Sequence, residues 1–282
     1  MELVKRTITG VLFVAVLVCC ITYGPYSALT LFEGITILSI CELIGLVNRY
    51  RNTAASKGWT ASAAVPLVAF VGTRGMVTVW CQGLFLILFL LLMMFIFIRE
   101  LYMKKESPVL NLSVSSLAIV YIAIPFALLT RLAFLTDATG VEGYSFIIPL
   151  ALFIFIWCND VGAYCFGCTL GKHRLFERVS PKKSWEGFFG GCFTSALAAY
   201  VVSRIPSMAG NMSSLLWIGM ALMVSVFGTW GDLVESLIKR ELGVKDSGNI
   251  LPGHGGMLDR FDSTLMAVPA VAAYLYLLFV VF

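Results

Sequence analysis

The chain has 282 residues, 59% of them hydrophobic and only 13% charged, with a mean hydropathy of +0.91. That composition excludes a soluble globular domain and points to a polytopic membrane protein. The net charge of +4 is small and scattered over short polar segments, which argues against a nucleic-acid-binding surface and for loops beside anionic lipid.

Apolar stretches approaching the ~20 residues that cross a hydrocarbon core are centred near residues 15, 37, 66, 89, 124, 156, 195, 222 and 273. They predict about nine transmembrane helices and an all-α fold, because in lipid each segment must satisfy its own backbone. The first stretch, "KRTITGVLFVAVLVCC", has the basic head and apolar core of a secretory signal. No small-x-small cleavage site follows, and it reads as a permanent span.

Basic residues test the count, since Lys and Arg collect in cytoplasmic loops. With the N-terminus inside, those loops hold Lys5, Arg6, Arg49, Arg51, Lys57, Arg99, Lys104, Lys105, Lys172, Arg174, Arg178, Lys182, Lys183, Lys239, Arg240, Lys245 and Arg260. Only Arg74, Arg131 and Arg204 of the 20 basic residues fall outside. Seven of the eight cysteines lie in or at the edges of spans, where they behave as small hydrophobes. Cys165 and Cys168 form a C-x-x-C without the further ligands a zinc site needs. With no repeat or linker, residues 1–282 read as a single integral membrane domain, with N-terminal helices in 1–110 and a catalytic region in 155–265.

Three polar regions stand out. In "GKHRLFERVSPKKSWEGFFGG", residues 171–191, a basic loop ends at Pro181 and a helix opens near Ser184 and Glu186. Ser180 or Ser184 serves as an ordinary N-cap and the lysines as an ordinary cytoplasmic loop, or Lys182 and Lys183 hold a phosphate-rich ligand. In "GDLVESLIKREL", Asp232, Glu235, Ser236, Lys239 and Arg240 share one helical face. A solvated extension with a Glu235–Lys239 pair is one reading; an ionisable group at membrane depth makes a functional one.

The third region, "GVKDSGNILPGHGGMLDRFD", carries five glycines and a proline, which break the helix and bring backbone amides close to an anion. Asp259 and Asp262 follow at i and i+3. Both suit a helix N-terminus; together with Asp232 they make an all-oxygen carboxylate set suited to Mg²⁺. Beside Lys239, Arg240 and Arg260, such a set fits nucleoside triphosphate chemistry.

Residues 236–262, "SLIKRELGVKDSGNILPGHGGMLDRFD", contain S, KR, KD, P-x-HGG and DR-x-D in fixed spacing. This resembles the signature of the phosphatidate cytidylyltransferase, or CDP-diacylglycerol synthase, family, and "SPKKSWEG" and "WCNDVGAYCFG" look like two further family segments. The chain departs from the family's usual Thr at Ser184 and from its frequent basic residue at Cys168.

The resemblance implies Mg²⁺-dependent conversion of CTP and phosphatidate to CDP-diacylglycerol and pyrophosphate in phospholipid biosynthesis, with one or two cations. It implies a bacterial inner-membrane protein whose active site faces the cytoplasm; a homodimer is among the assemblies it allows. Asp232, Asp259 and Asp262 are then metal ligands, Lys239, Arg240 and Arg260 neutralise phosphates, and Asp246 and His254 assist. Ser180, Pro181, Lys182, Lys183, Ser184, Glu186, Ser236, Lys245, Gly255 and Gly256 are implied on the substrates. Two rivals stay open: a transporter, since Glu33, Glu42 and Asp160 at depth also mark an ion path, and a CTP-dependent lipid kinase, which releases CDP instead of pyrophosphate.

Overall fold

The computed structural model describes residues 2–73, 76–104, 107–134, 143–209, 212–250 and 255–281, the side chains of 2–6, 209 and 279–281 excepted. The helices run α1 (Glu2–Tyr23), α2 (Pro25–Arg51), α3 (Lys57–Gly72), α4 (Val79–Met103), α5 (Pro108–Ala118), a π-helical turn (Ile119–Ala123) and α6 (Ile124–Leu132). After them come α7 (Ile147–Leu170), α8 (Trp185–Arg204), α9 (Pro206–Ala209), α10 (Ser214–Glu241) and α11 (Leu258–Val281). The departure from an all-α fold is a two-stranded antiparallel hairpin, β1 (Arg174–Phe176) and β2 (Ser180–Ser184), in the basic loop.

Each of the nine expected span centres falls inside a helix. Among the described residues, six segments are long and apolar enough to cross a membrane: α2, α4, Pro108–Leu132, α7, α10 and α11 over Leu258–Leu278. The protein is therefore an integral membrane protein. The apolar run of α1, Thr7–Tyr23, and the 16 residues of α3 fall short of the ~20 needed, and the opening of α8 carries Glu186 and the glycines Gly187, Gly190 and Gly191.

Local chemistry explains the boundaries. Ser56, Thr78 and Ser184 each accept a backbone N–H from their helix's first turn, satisfying donors that have no intrahelical partner. Asn52 ends α2 in the left-handed conformation, at φ 49, which Asn tolerates better than most residues. The π turn lies immediately ahead of Pro125. In an unbroken α-helix that ring would strike the carbonyl four residues back, and the wider turn relieves the clash.

The chain forms two compact units. The first comprises α1 to α6 with residues 241–261; the second comprises α7 to α10 as far as Arg240, the hairpin, and α11 from Asp262.

In the first unit, Phe32, Ile40, Leu43 and Ile44 of α2 are buried, and Leu29, Val68 and Ala127 join α2, α3 and α6. Phe126 stacks with Phe32, ring centres 6.2 Å apart, and meets Phe261 edge-on at 5.4 Å. Lipid is itself apolar, so these contacts contribute close packing more than escape from water. Polar contacts add direction: Thr60 donates to Ser115 at 3.1 Å, and Asn111 accepts the Ala54 N–H at 2.8 Å while its amide donates to Glu100. The α4 side chains Leu84, Ile87, Leu91 and Phe97 are exposed and face lipid.

The second unit is built on the pairing of α7 with α8. Glycines let the two backbones approach: a Cβ at Gly191 would lie 2.5 Å from Asn159 Oδ1 and 2.9 Å from the Asn159 carbonyl oxygen. Thr194 donates across the seam to the Cys158 carbonyl at 2.9 Å. Phe155 meets Trp217 of α10 edge-on at 6.1 Å. α10 and α11 touch just as closely, since a Cβ at Gly231 would sit 2.5 Å from the Asp262 carbonyl oxygen.

Candidate active site

The small residues Gly228 and Gly231 let α10 lie against the start of α11 in the second unit. That approach decides where two carboxylates go. Asp232 and Asp262, 30 positions apart in sequence, come within electrostatic reach of each other, and Asp160 of α7 acts on Asp262 more weakly. Lys239 opposes them with positive charge. The Ser263 N–H donates to Asp262 Oδ1 at 2.6 Å, fixing that side chain near the start of α11.

Asp232 is held from two sides. Ser236, one turn on, donates to its Oδ1 at 3.2 Å. Lys183, from the end of β2, brings its Nζ to 2.6 Å from Oδ2 and also donates to the Thr229 carbonyl at 3.4 Å. The expected Glu235–Lys239 pair forms, at 3.1 Å, but the Glu235 side chain is 1% exposed and Lys239 12%. It is a buried ion pair and not a solvated face, and removal of either partner would strand a charge.

The hairpin that delivers Lys183 is itself anchored. Phe176 packs edge-on against Trp230, ring centres 5.4 Å apart. The His173 N–H and ring Nδ1 bond to the Glu186 carboxylate, Nδ1 at 2.6 Å from Oε1. The Trp185 N–H donates back to the His173 carbonyl at 2.9 Å. The backbone N–H of Glu186 and then the His173 ring hold the Glu186 carboxyl down at about 2. Ser184 is buried as the cap of α8, accepting the Gly187 N–H at 3.2 Å. Ser180 is half-buried, whereas Pro181 and Lys182 are exposed.

In the first unit, the segment between α10 and α11 is wrapped around two carboxylates. Asp259 Oδ2 accepts the Ser247 N–H and the Gly256 N–H, both at 2.8 Å. Gly255 has φ +84, and a Cβ there would lie 2.7 Å from Asp259 Oδ2; a residue without a side chain is needed on both counts. The second carboxylate is Glu42 of α2. It accepts the Met257 N–H at 2.9 Å, the Leu258 N–H at 2.8 Å and the Ser247 hydroxyl at 3.3 Å. Lys245, Asp246, Arg240 and Arg260 are exposed. Expected alongside them, His254 lies outside the described residues.

The donor chemistry fits a hard divalent cation. Asp232, Asp262 and Asp160 offer only oxygen, the ligand Mg²⁺ takes, and their mutual repulsion is what a cation relieves. Among the described residues, no three such groups already converge closely enough to hold one. The sequence singled out Glu42 only as a residue of an ion path, and His173 and the Phe176–Trp230 contact not at all. The available signal for Glu42 was an ionisable carboxylate within an apolar helix, which in lipid demands a partner.

Residues 4–278 match the model of a family described as the Cytidylyltransferase family. Over 131 residues, 46% of this chain and 49% of the relative, the sequence is 47% identical to a phosphatidate cytidylyltransferase of Staphylococcus aureus. Identity is 48% over 131 residues with the phosphatidate cytidylyltransferase of Staphylococcus epidermidis, again 46% of this chain and 49% of the relative. With that of Staphylococcus haemolyticus it is 46% over 132 residues, 47% and 49% of the two chains. The chain thus spans about half the length of the curated relatives it matches.

Proposed function

Because the chain belongs to the cytidylyltransferase family, we propose that it transfers the cytidylyl group of CTP to phosphatidate, forming CDP-diacylglycerol and releasing pyrophosphate. The observation that carries this reading is the juxtaposition of Asp232 and Asp262 with Lys183 at 2.6 Å from Asp232, on the helices that flank the signature segment 236–262. Polyanion chemistry needs both signs of charge at one place.

In this reading a phosphatidate phosphate oxygen attacks the α-phosphorus of CTP, and the bond from that phosphorus to the bridging oxygen breaks as pyrophosphate leaves. The nucleophile is already anionic near pH 7, so the chain's task is to position two polyanions and offset their charge. Asp232 and Asp262 would hold Mg²⁺, and Asp259 stays in that set on the signature alone. When bound, the cation polarises phosphate oxygens and offsets the charge that develops on them. Lys239, Arg240 and Arg260 neutralise phosphates; Lys182, exposed at the hairpin, meets the lipid phosphate or the triphosphate tail.

The same reading extends to the membrane. The chain crosses with nine spans, α1, α3 and α8 joining the six longer ones, the N-terminus and the active site on the cytoplasmic side of a bacterial inner membrane. The distribution of basic residues supports this orientation. The test is pyrophosphate release by the detergent-purified protein. Release that requires CTP, Mg²⁺ and phosphatidate together supports the proposal, and release without phosphatidate overturns it.

A further inference from the structure

Glu42 lies in the middle of α2, a helix apolar enough to span the membrane, yet its side chain points to no basic partner of its own helix. Its carboxylate is buried, 9% exposed, and both oxygens are spent on one target. Oε1 accepts the Met257 N–H and Oε2 the Leu258 N–H. These are the amides at the very start of α11, which have no intrahelical acceptor and which the helix dipole makes favourable for a negative charge. The Ser247 hydroxyl adds a third bond to Oε2. Within the segment, Ser247 and Gly256 then give their N–H groups to Asp259.

The segment's composition matches this clamp. A Cβ at Gly248 would come within 2.6 Å of Glu42 Oε1, and one at Gly256 within 2.6 Å of Oε2. The backbone is pressed onto the carboxylate at both places, so glycine is the residue that fits. Partners separated by 205 to 216 positions make this a tertiary device and not a local cap.

We propose that Glu42 is a positioning residue of the signature segment: its carboxylate, delivered by α2, fixes Ser247, Gly256 and the head of α11, and through them the orientation of Asp259 and the placement of Asp246. It touches neither substrate. This rests on the functional reading above for its consequence in catalysis, but the clamp itself is a property of the protein without substrates. It also assigns a task to an N-terminal helix outside the region that carries the family signature.

Two measurements on the full-length detergent-purified protein test it. Hydrogen exchange without ligands reads the clamp: in Glu42→Gln, peptides covering 245–259 exchange faster by ~10-fold or more, as expected for lost acceptors at buried amides, while peptides of α7 and α8 are unchanged. Steady-state pyrophosphate release then reads the consequence: kcat falls ~10–100-fold, the cost of a misplaced site, and the KM for phosphatidate stays within about twofold of wild type. Ser247→Ala, which deletes one of three bonds, shows the same pattern at smaller size and serves if Glu42→Gln does not fold. Unchanged exchange in 245–259 overturns the clamp. Faster exchange with wild-type kcat overturns the positioning role. An inactive wild-type protein counts against the proposed reaction instead, and the exchange result still decides the clamp.

Discussion

Lys183 Nζ lies 2.6 Å from Asp232 Oδ2, joining the basic hairpin to the acidic face of α10. Both side chains are about one-third exposed or less, at 26% and 33%, so the pair is reachable from outside. The contact distinguishes the neighbouring lysines: Lys183 offsets the Asp232 carboxylate, whereas Lys182 is exposed beside it.

Lys182→Ala is therefore expected to raise the KM for one substrate with little change in kcat, and Lys183→Ala to lower kcat as well. Separate titrations of CTP and phosphatidate check this. Equal, purely kcat-directed losses in both variants would contradict the division.

Asp232→Asn and Asp262→Asn keep the shape of each side chain and remove its charge. Turnover is expected to fall by at least ~100-fold in each, the usual size of a preorganised electrostatic contribution, with the folded state retained by size-exclusion and thermal melting. Wild-type rates in either would remove both residues from the proposed metal set.

Much of this organisation is legible in the residues. All nine expected centres fall inside helices, and six described segments are long and apolar enough to cross a membrane, because long apolar runs and polar breaks report directly on the solvent. The polar segments stand out in the same way, since Asp232, Asp259 and Asp262 adjoin apolar runs where an ionisable group is costly. Glu42 stands out as an ion-path residue, but its attachment to the signature segment escaped because its partners are backbone amides of residues 257 and 258, and amides leave no trace in a sequence. The hairpin escaped because strands of three and five residues are too short for an alternating pattern.

Gly191→Ala is expected to loosen the seam between α7 and α8. The added methyl meets the Asn159 carbonyl at 2.9 Å, backbone that has no easy way to give, and overpacking of this kind costs ~1–3 kcal/mol. A thermal melt in detergent should show a lowered midpoint; an unchanged one would mean that the helices separate freely.

The Glu186 carboxyl, brought from 4.5 to about 2 by its backbone and His173 bonds, sets a sign for pH. A carboxylate whose value is depressed in the folded protein contributes stability that is complete above its ordinary value and fades as pH falls toward the folded one. The melting-point advantage of wild type over Glu186→Gln should shrink as pH falls below about 4.5. An advantage that grows as pH falls below about 4.5 would contradict the depressed Glu186 carboxyl.

The central claim is tested most directly by following label from CTP into lipid, using phosphatidate, Mg²⁺ and the purified protein with CTP labelled at either the α- or the γ-phosphate. Cytidylyl transfer puts the α-label in the lipid and the γ-label in pyrophosphate, and both signals vanish in Asp262→Asn. Appearance of the γ-label in lipid, with CDP as the soluble product, would contradict it and make the protein a CTP-dependent lipid kinase.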